Sequence, residues 1–138
     1  MGQQAMMSQR IVFERPPIFN EARSLFGQRV ERAIFSWGDV IYNPARISIP
    51  AYLLAHESVH GARQRSCDIN EWWQKYLHDA QFRLAEEIPA HREEYRWLMN
   101  SGNRADRRMG AKSVAARLSG SLYGRMVSAT QAKVLLET

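Results

Sequence analysis

The chain has 138 residues, of which 45% are apolar and 24% are charged. This is the composition of an ordinary globular protein, and it excludes both a wholly disordered chain and a fibrous repeat. The single cysteine, Cys67, excludes an internal disulfide framework and a cysteine-based zinc cluster. No apolar run approaches the roughly 18 residues that a membrane-spanning helix needs, so we expect no membrane partner.

The length and the N-terminal residues indicate the domain organisation. A chain of 138 residues is long enough for one domain with its own hydrophobic core. We therefore expect a single domain over residues 10–138, preceded by a flexible terminus at 1–9. The first ten residues lack the apolar segment of a secretory signal, which predicts a reducing, cytoplasmic location.

The net charge of +5 comes from the C-terminal quarter of the chain. Residues 104–138 contain two acidic side chains and seven basic ones, which are Arg104, Arg107, Arg108, Lys112, Arg117, Arg125 and Lys133. The first five of these could line one side of a helix and bind the phosphates of a nucleic acid or another anionic partner. A solvated surface is the alternative, since no recognised nucleic-acid motif accompanies the charges.

The N-terminal part of the chain predicts a small β structure and one helix. The β-prone residues at 10–14 predict a short strand that ends before Pro16. Asn20 is a suitable N-cap for a helix over about 21–27. The β-prone segments 33–37 and 40–42 flank Gly38-Asp39, a pattern typical of a β-hairpin.

Helices dominate the rest of the predicted structure. Pro50 suits the first turn of a helix over about 50–65, and Asp68 with Glu71 forms a capping box before a helix over about 69–78. Further helices are predicted over about 81–100 and from Ser128 to about 136. The predicted fold is therefore a compact, mostly helical α+β domain with a small β-hairpin or sheet before the helix at 50–65.

The chemistry is concentrated in the segment His56-Glu57-Ser58-Val59-His60. Two histidines at positions i and i+4 of a helix project about 40° apart, so both imidazoles can bind one tetrahedral zinc ion. Glu57 lies next to the first of them and can take a proton from a water on the metal. This HExxH pattern is typical of zinc hydrolases of the metalloprotease type. The alternative is a surface helix with two solvated histidines.

A catalytic zinc ion needs a third protein ligand and one open position. The extended pattern HExxHxxGxxH does not continue here, because Arg63 and Ser66 occupy the positions of its glycine and third histidine. The third ligand must therefore come from another helix. The candidates are His78, Asp79, Glu86, Glu87 and His91.

The helix predicted over 81–100 separates Glu87 from Glu86. Its apolar stripe is formed by Leu84, Ile88, Tyr95 and Leu98. Glu87 lies about 65° from the centre of this stripe, at the edge of the face expected to be buried. Glu86 lies about 165° from the centre and is expected to face water. We therefore predict Glu87 as the third ligand.

His91 falls inside the same stripe, one turn after Glu87. Three roles are open to it: a fourth metal ligand, a stabiliser of an oxyanion, and a buried histidine satisfied by a backbone carbonyl group. The sequence does not separate them.

The HESVH segment followed by Glu87-Ile88-Pro89-Ala90 resembles the glutamate-zincin metallopeptidases. The resemblance is narrower over the segments GDVIYNPARISIPAYLLAHESVHGARQ, WWQKYLHDAQFRLAEEIPAHREEYRWL and ARLSGSLYGRMVSATQA. These are similar to a group of small metallopeptidases that bacteriophages and prophages typically encode. The similarity extends over about residues 10–136.

This resemblance implies a compact zincin domain with His56, His60 and Glu87 as zinc ligands and Glu57 as general base. Members of the group often have a tyrosine at the position of His91. The role of that tyrosine in stabilising the transition state would pass here to His91 or to Tyr95, one turn later. The resemblance implies no particular substrate.

The predicted function is therefore zinc-dependent hydrolysis of peptide or related amide bonds, with a peptide or protein as substrate. The edge of the hairpin at 33–42 either pairs with an extended substrate or serves core packing alone. The alternative function is a phage structural or nucleic-acid-associated protein that retains the zincin fold without turnover. Either function places the protein in the host cytoplasm, or in association with the virion.

Overall fold

The computed structural model describes residues 9–101, 103–120 and 126–138. The N-terminal elements are β1 (Arg10–Val12), α1 (Phe19–Phe26), a 3₁₀ helix (Gly27–Arg32), β2 (Phe35–Trp37) and β3 (Val40–Tyr42). The remaining elements are α2 (Ala51–Gln64), α3 (Ile69–His78), α4 (Ala80–Met99), α5 (Arg104–Leu118) and α6 (Ala129–Glu137). The predicted class is confirmed: the fold is mostly helical α+β, with a small sheet before the helices.

The three strands form one sheet in the order β1-β3-β2. The strands β2 and β3 form the predicted antiparallel hairpin, and β1 pairs with β3 in parallel. Gly38 in the turn has a φ of 61°, a conformation that glycine adopts without steric cost. The strand β2 is left at one edge of the sheet, on the side that faces α2.

Several predicted elements are confirmed with small shifts, and others need correction. The caps of α3 and α6 are confirmed, because Asp68 and Ser128 each accept a hydrogen bond from the third residue of their helix. The prediction for Asn20 was wrong. The helix α1 begins at Phe19, where the chain turns after Pro16-Pro17, and no side chain caps it. Burial of Ile18 and Phe19 fixes this end instead.

No bounds were predicted for α5, although its basic residues were considered as one side of a helix. About half of its residues are polar, and among the residues whose burial the structure describes it buries a narrow row formed by Val114, Ala115 and Leu118. This row packs against Leu98 of α4. The stability of α5 therefore comes from its packing against α4 more than from an amphipathic pattern of its own.

Two hydrophobic clusters lie on opposite sides of the contact between α2 and α4. The first joins α1, the sheet and α3, and its largest members are Phe19, Phe35, Trp72, Trp73 and Tyr76. The second joins α4, α5 and α6. Between them the contact of α2 with α4 is lined by buried polar and charged side chains. None of the described helices is long and apolar enough to cross a membrane.

The helix α2 approaches the hairpin turn very closely at Gly61. A Cβ atom on Gly61 would lie 2.3 Å from the carbonyl oxygen of Gly38. Beside this contact, the Gln64 side chain accepts a hydrogen bond from the Gly38 amide at 2.7 Å and donates one to the Ser36 carbonyl at 2.9 Å. The side-chain amide of Gln64 therefore satisfies backbone groups of the hairpin and fixes the hairpin against α2.

We expect Gly61→Ala to destabilise the protein by about 1–3 kcal/mol, although alanine is the better helix former. The reason is that the added methyl group meets backbone rather than a movable side chain. The control is Gly110→Ala in α5, whose added Cβ would meet the terminal atoms of the Leu98 side chain. Chemical denaturation should show a smaller loss of unfolding free energy for the control than for Gly61→Ala. An equal loss in both variants would contradict the close approach of Gly61 to the Gly38 carbonyl group.

Candidate metal centre

Three predicted residues meet where α2 crosses α4. The Nε2 atoms of His56 and His60 each lie 3.1 Å from Oε1 of Glu87. All three side chains are buried, and their ligand atoms lie within 4.8 Å of one another. Two imidazoles and a carboxylate therefore converge on one point in the interior.

Helix geometry and one small residue produce this convergence. The two histidines are one turn apart on α2, so they project toward the same side. Ala90 of α4 is fully buried, and its small side chain lets the two helices approach. Glu87 lies one turn before Ala90 on α4, and its side chain extends into the space between α2 and α4.

The dimensions fit a tetrahedral zinc ion. With metal–ligand distances of about 2.0–2.2 Å, two ligand atoms of a tetrahedral site lie roughly 3.3–3.5 Å apart. The two distances of 3.1 Å from Glu87 Oε1 to the histidine Nε2 atoms are close to that value. The ligands are those that zinc accepts, because imidazole and carboxylate groups are both common in catalytic zinc sites.

A second group, His56, His91 and Glu94, also brings ligand atoms within 4.8 Å of one another. It shares His56 with the first group. Its carboxylate already contacts the guanidinium group of Arg117, a cation that opposes a metal ion at the same point. The group formed by His56, His60 and Glu87 is therefore the better metal site.

An outer layer of polar contacts orients the first group. Nδ1 of His56 lies 2.9 Å from Oε1 of Glu94, and Arg117 of α5 contacts the other oxygen of that carboxylate. On the opposite side, the hydroxyl group of Tyr76 donates a hydrogen bond to Oε2 of Glu87. A histidine whose second ring nitrogen contacts a carboxylate in this way is the usual arrangement around protein-bound zinc.

Glu57 follows His56 on α2, and its carboxylate also lies close to the group formed by His56, His60 and Glu87. Its Oε2 atom lies 4.0 Å from Nε2 of His56. The hydroxyl group of Ser36, on the edge strand β2, contacts the Glu57 carboxylate and lies 3.0 Å from the Glu57 carbonyl oxygen. The strand at the sheet edge therefore fixes the orientation of this carboxylate.

The buried carboxylates favour positive charge at this site. Burial alone would lower the pKa of His56, but its hydrogen bonds with Glu87 and Glu94 outweigh burial and raise the pKa to about 10. Burial opposes ionisation of Glu87, yet the nearby His60 and hydrogen bonds from the surrounding imidazoles hold its pKa well below the usual range. A positive charge between the histidines and Glu87, from either a proton or a metal ion, therefore compensates the negative charge of carboxylates that are buried away from water.

The backbone carbonyl group of Glu87 accepts a hydrogen bond from Nδ1 of His91 at 2.9 Å. This hydrogen bond is the one expected if His91 is a buried histidine satisfied by a backbone carbonyl group, one of the three roles considered for it. The ring also lies close to the metal site, with its centroid 4.6 Å from that of His56. Burial lowers the pKa of His91, so the imidazole is neutral near pH 7.

The structure does not bring Tyr95 to the site. Its hydroxyl group lies 3.3 Å from the Glu137 carboxylate of α6, and its ring packs in the second hydrophobic cluster. Two other candidates for the third ligand are also elsewhere. Asp79 caps α4, and His78 contacts Glu21 on the surface.

The prediction that Glu86 faces water was wrong. Only 8% of Glu86 is exposed, because α4 is covered by α3 as well as by α2. Its carboxylate accepts two hydrogen bonds from Arg63, at 2.8 and 3.0 Å, and a third from the Trp72 indole at 3.0 Å. Glu86 is therefore a buried structural carboxylate and is not part of the group formed by His56, His60 and Glu87.

Ser36, Tyr76, Glu94 and Arg117 are site residues that the sequence analysis missed. A signal existed for Glu94, because it follows Glu87 by seven residues and so lies within about 20° of it on the same helix face. The other three come from elements distant in sequence. Their spacing relative to the HESVH segment carries no periodic signal.

Two basic residues of α5 have polar partners elsewhere in the fold, although neither is buried. Arg117 contacts Glu94, and Arg107 contacts the backbone carbonyl group of Ser101. Arg104, Arg108 and Lys112 are exposed. Two of the five bases considered for a nucleic-acid interface are therefore engaged in contacts with other parts of the fold, and binding of an anionic partner stays a prediction.

Comparisons of the chain with protein-family models, with curated proteins and with solved structures found no match.

We expect Glu94→Gln to weaken zinc binding about 10- to 100-fold, because the His56 ring loses a charged partner that orients it. The matched control is Glu93→Gln, since Glu93 contacts only Arg96 among the described residues, on the helix surface. Competition with a chelator of known zinc affinity measures both variants. Equal zinc affinities in the two variants would contradict the role of Glu94.

Proposed function

We propose that the protein is a zinc-dependent hydrolase of peptide or related amide bonds. The observation that carries this proposal is the position of Glu87 Oε1, 3.1 Å from Nε2 of both His56 and His60, with the Glu57 carboxylate beside them. A purely structural zinc site needs no proton-accepting carboxylate beside its ligands. The resemblance to small phage-encoded metallopeptidases agrees with this arrangement, and a location in the host cytoplasm or the virion stays a prediction from it.

His56, His60 and Glu87 are the residues that would hold the metal. Bound there, zinc supplies Lewis acidity that lowers the pKa of a coordinated water toward about 7 and polarises the substrate carbonyl group. The contacts of His56 with Glu94 and of Glu87 with Tyr76 keep the ligand side chains in place. They reduce the reorganisation that metal binding and catalysis would otherwise need.

Glu57 is the group that moves the proton. It accepts a proton from the attacking water and delivers it to the leaving nitrogen. A small cavity of about 50 Å³ is lined by residues that include Ser36, Glu57, His60 and Glu87. This volume is sufficient for a water molecule, which needs roughly 30 Å³ in the liquid. The cavity therefore offers a place for the nucleophile next to its base.

Tyr76 takes the role that the sequence analysis considered for Tyr95. Its hydroxyl group reaches Glu87 from α3, and its side chain lines both cavities next to the metal group. The single proton of this phenol is donated to Glu87 in the structure; with Glu87 bound to the metal, the phenol could instead donate it to the oxygen that becomes negatively charged in the transition state. The imidazole of His91 also lines the larger of these two cavities, but its one N–H proton is donated to the Glu87 carbonyl group, so its other nitrogen can only accept a hydrogen bond.

The central test is Glu57→Gln, which should retain zinc but lose at least about 100-fold in the rate of peptide hydrolysis, because the amide cannot accept the proton. Glu87→Ala should lose zinc. The matched control is Glu86→Gln, which changes the neighbouring buried carboxylate but leaves the metal ligands intact. Metal analysis and hydrolysis of a mixed peptide library measure all three. Hydrolysis at the parental rate in Glu57→Gln would contradict the assignment of Glu57 as the base. The absence of zinc-dependent hydrolysis by the parent protein would favour the alternative, a zincin fold without turnover.

Tyr76→Phe should lower kcat about tenfold or more with little change in KM, since it removes a donor that acts mainly in the transition state. Tyr95→Phe is the matched control, because its hydroxyl group contacts Glu137 instead of the site. Steady-state kinetics on one peptide compares them. A larger effect in Tyr95→Phe would contradict the assignment of Tyr76.

A further inference from the structure

A larger cavity opens beside the metal group. It has a volume of about 240 Å³, is partly open to solvent, and is bordered on one side by His56, Glu57, Glu87 and His91. Most of its remaining wall is apolar and comes from α1, the 3₁₀ helix, β2, α2 and α3; the wall includes Phe26, Val30, Ile34, Phe35, Leu53 and Leu77. A group in this cavity would therefore be in contact with the hydrolytic residues.

The size and the wall of this cavity suit one large apolar side chain. An apolar cavity of about 150 Å³ is enough to hold benzene. A volume of about 240 Å³ therefore holds the side chain of phenylalanine or leucine together with part of its backbone. An apolar wall next to a polar reactive centre is the usual construction of a pocket that selects a substrate side chain.

The same cavity is bordered by an exposed arginine that forms no ion pair within the described residues. Two arginines border it, Arg29 of the 3₁₀ helix and Arg117 of α5. Arg117 contacts Glu94, whereas no acidic residue of the described chain forms an ion pair with Arg29. The acidic residue nearest to Arg29 in sequence, Glu31, pairs with Arg15 and Arg23 instead. The guanidinium group of Arg29 therefore remains available to an anionic ligand.

We propose that the cavity binds a peptide segment in which a large apolar side chain lies next to a carboxylate group, with Arg29 as the carboxylate-binding residue. This inference rests on the proposed function, since it names the substrate class of the same site. The apolar wall takes the side chain, and Arg29 forms a charge-assisted hydrogen bond with the carboxylate at the cavity rim. The carboxylate belongs either to the C-terminus of the peptide or to an adjacent acidic side chain.

The first experiment measures binding without catalysis. The full-length protein in the presence of a chelator is titrated with N-acetyl-L-phenylalanine, with its amide and with N-acetylglycine, and chemical shifts or tryptophan fluorescence report binding. The chelator removes zinc, which would otherwise attract the carboxylate itself. N-acetyl-L-phenylalanine should bind about three- to tenfold more tightly than its amide, and more tightly still than N-acetylglycine.

Arg29→Ala should abolish the difference between the acid and the amide. Arg32→Ala removes an exposed arginine of the same 3₁₀ helix that does not line the cavity, and the acid should remain the tighter ligand in this variant. Ala33→Leu narrows the cavity from its wall and should weaken binding of the phenylalanine derivatives more than that of N-acetylglycine. Thermal denaturation establishes that each variant is folded. Equal binding of acid and amide by the parent protein would overturn the proposal.

The second experiment uses peptides and the zinc-loaded protein. One peptide ends in phenylalanine with a free carboxylate, the second ends in phenylalanine amide, and the third has phenylalanine followed by aspartic acid amide. Faster cleavage of the first than of the second identifies the C-terminal carboxylate, and faster cleavage of the third than of the second identifies an acidic side chain. If the amide is cleaved as fast as both others, the carboxylate assignment is wrong.

The two proposals can fail separately. Selective binding of the acid through Arg29, combined with no cleavage of any peptide, would contradict the proposed function and retain the ligand assignment. Zinc-dependent cleavage that does not change in Arg29→Ala and Ala33→Leu would retain the proposed function and overturn the ligand assignment.

Discussion

The burial of the Glu87 carboxylate between two imidazoles is the constraint on which the rest of the structure depends. A carboxylate in the protein interior is costly unless charge and hydrogen bonds compensate it. Here the compensation comes from His56 and His60 of one helix, and from Tyr76 of another. These contacts fix the positions of three helices relative to one another. The same arrangement brings together two imidazoles and a carboxylate that could hold a metal ion.

The basic C-terminal part of the chain contributes to this site through one residue. Arg117 contacts the Glu94 carboxylate, and Glu94 in turn contacts His56. The charge of Arg117 and the hydrogen bond with His56 outweigh burial and hold the pKa of Glu94 below its usual range. The half-exposed Arg117 therefore links α5 to the buried carboxylate that contacts His56, and this part of the excess positive charge has a structural role.

The helix α4 shows why the apolar pattern of a sequence can mislead. The stripe of Leu84, Ile88, Tyr95 and Leu98 packs in the second hydrophobic cluster, as an apolar stripe should. The opposite side of α4 is buried as well, because α2 and α3 cover it. Glu86 on that side, and Glu94 beside the edge of the stripe, are satisfied by partners from other helices, so both are buried without being apolar. A periodicity of apolar residues alone predicts only one of the two buried faces.

The sequence by itself determined the features that depend on neighbouring residues. It predicted the hairpin at Gly38-Asp39, the capped starts of α3 and α6, and two histidines on one face of α2, because turns, caps and helix periodicity are local properties. Only the tertiary structure decided that Tyr76, Ser36 and Arg117 surround that face, since these residues come from separate elements. Their meeting depends on the packing of helices and sheet, and no local spacing in the chain encodes it.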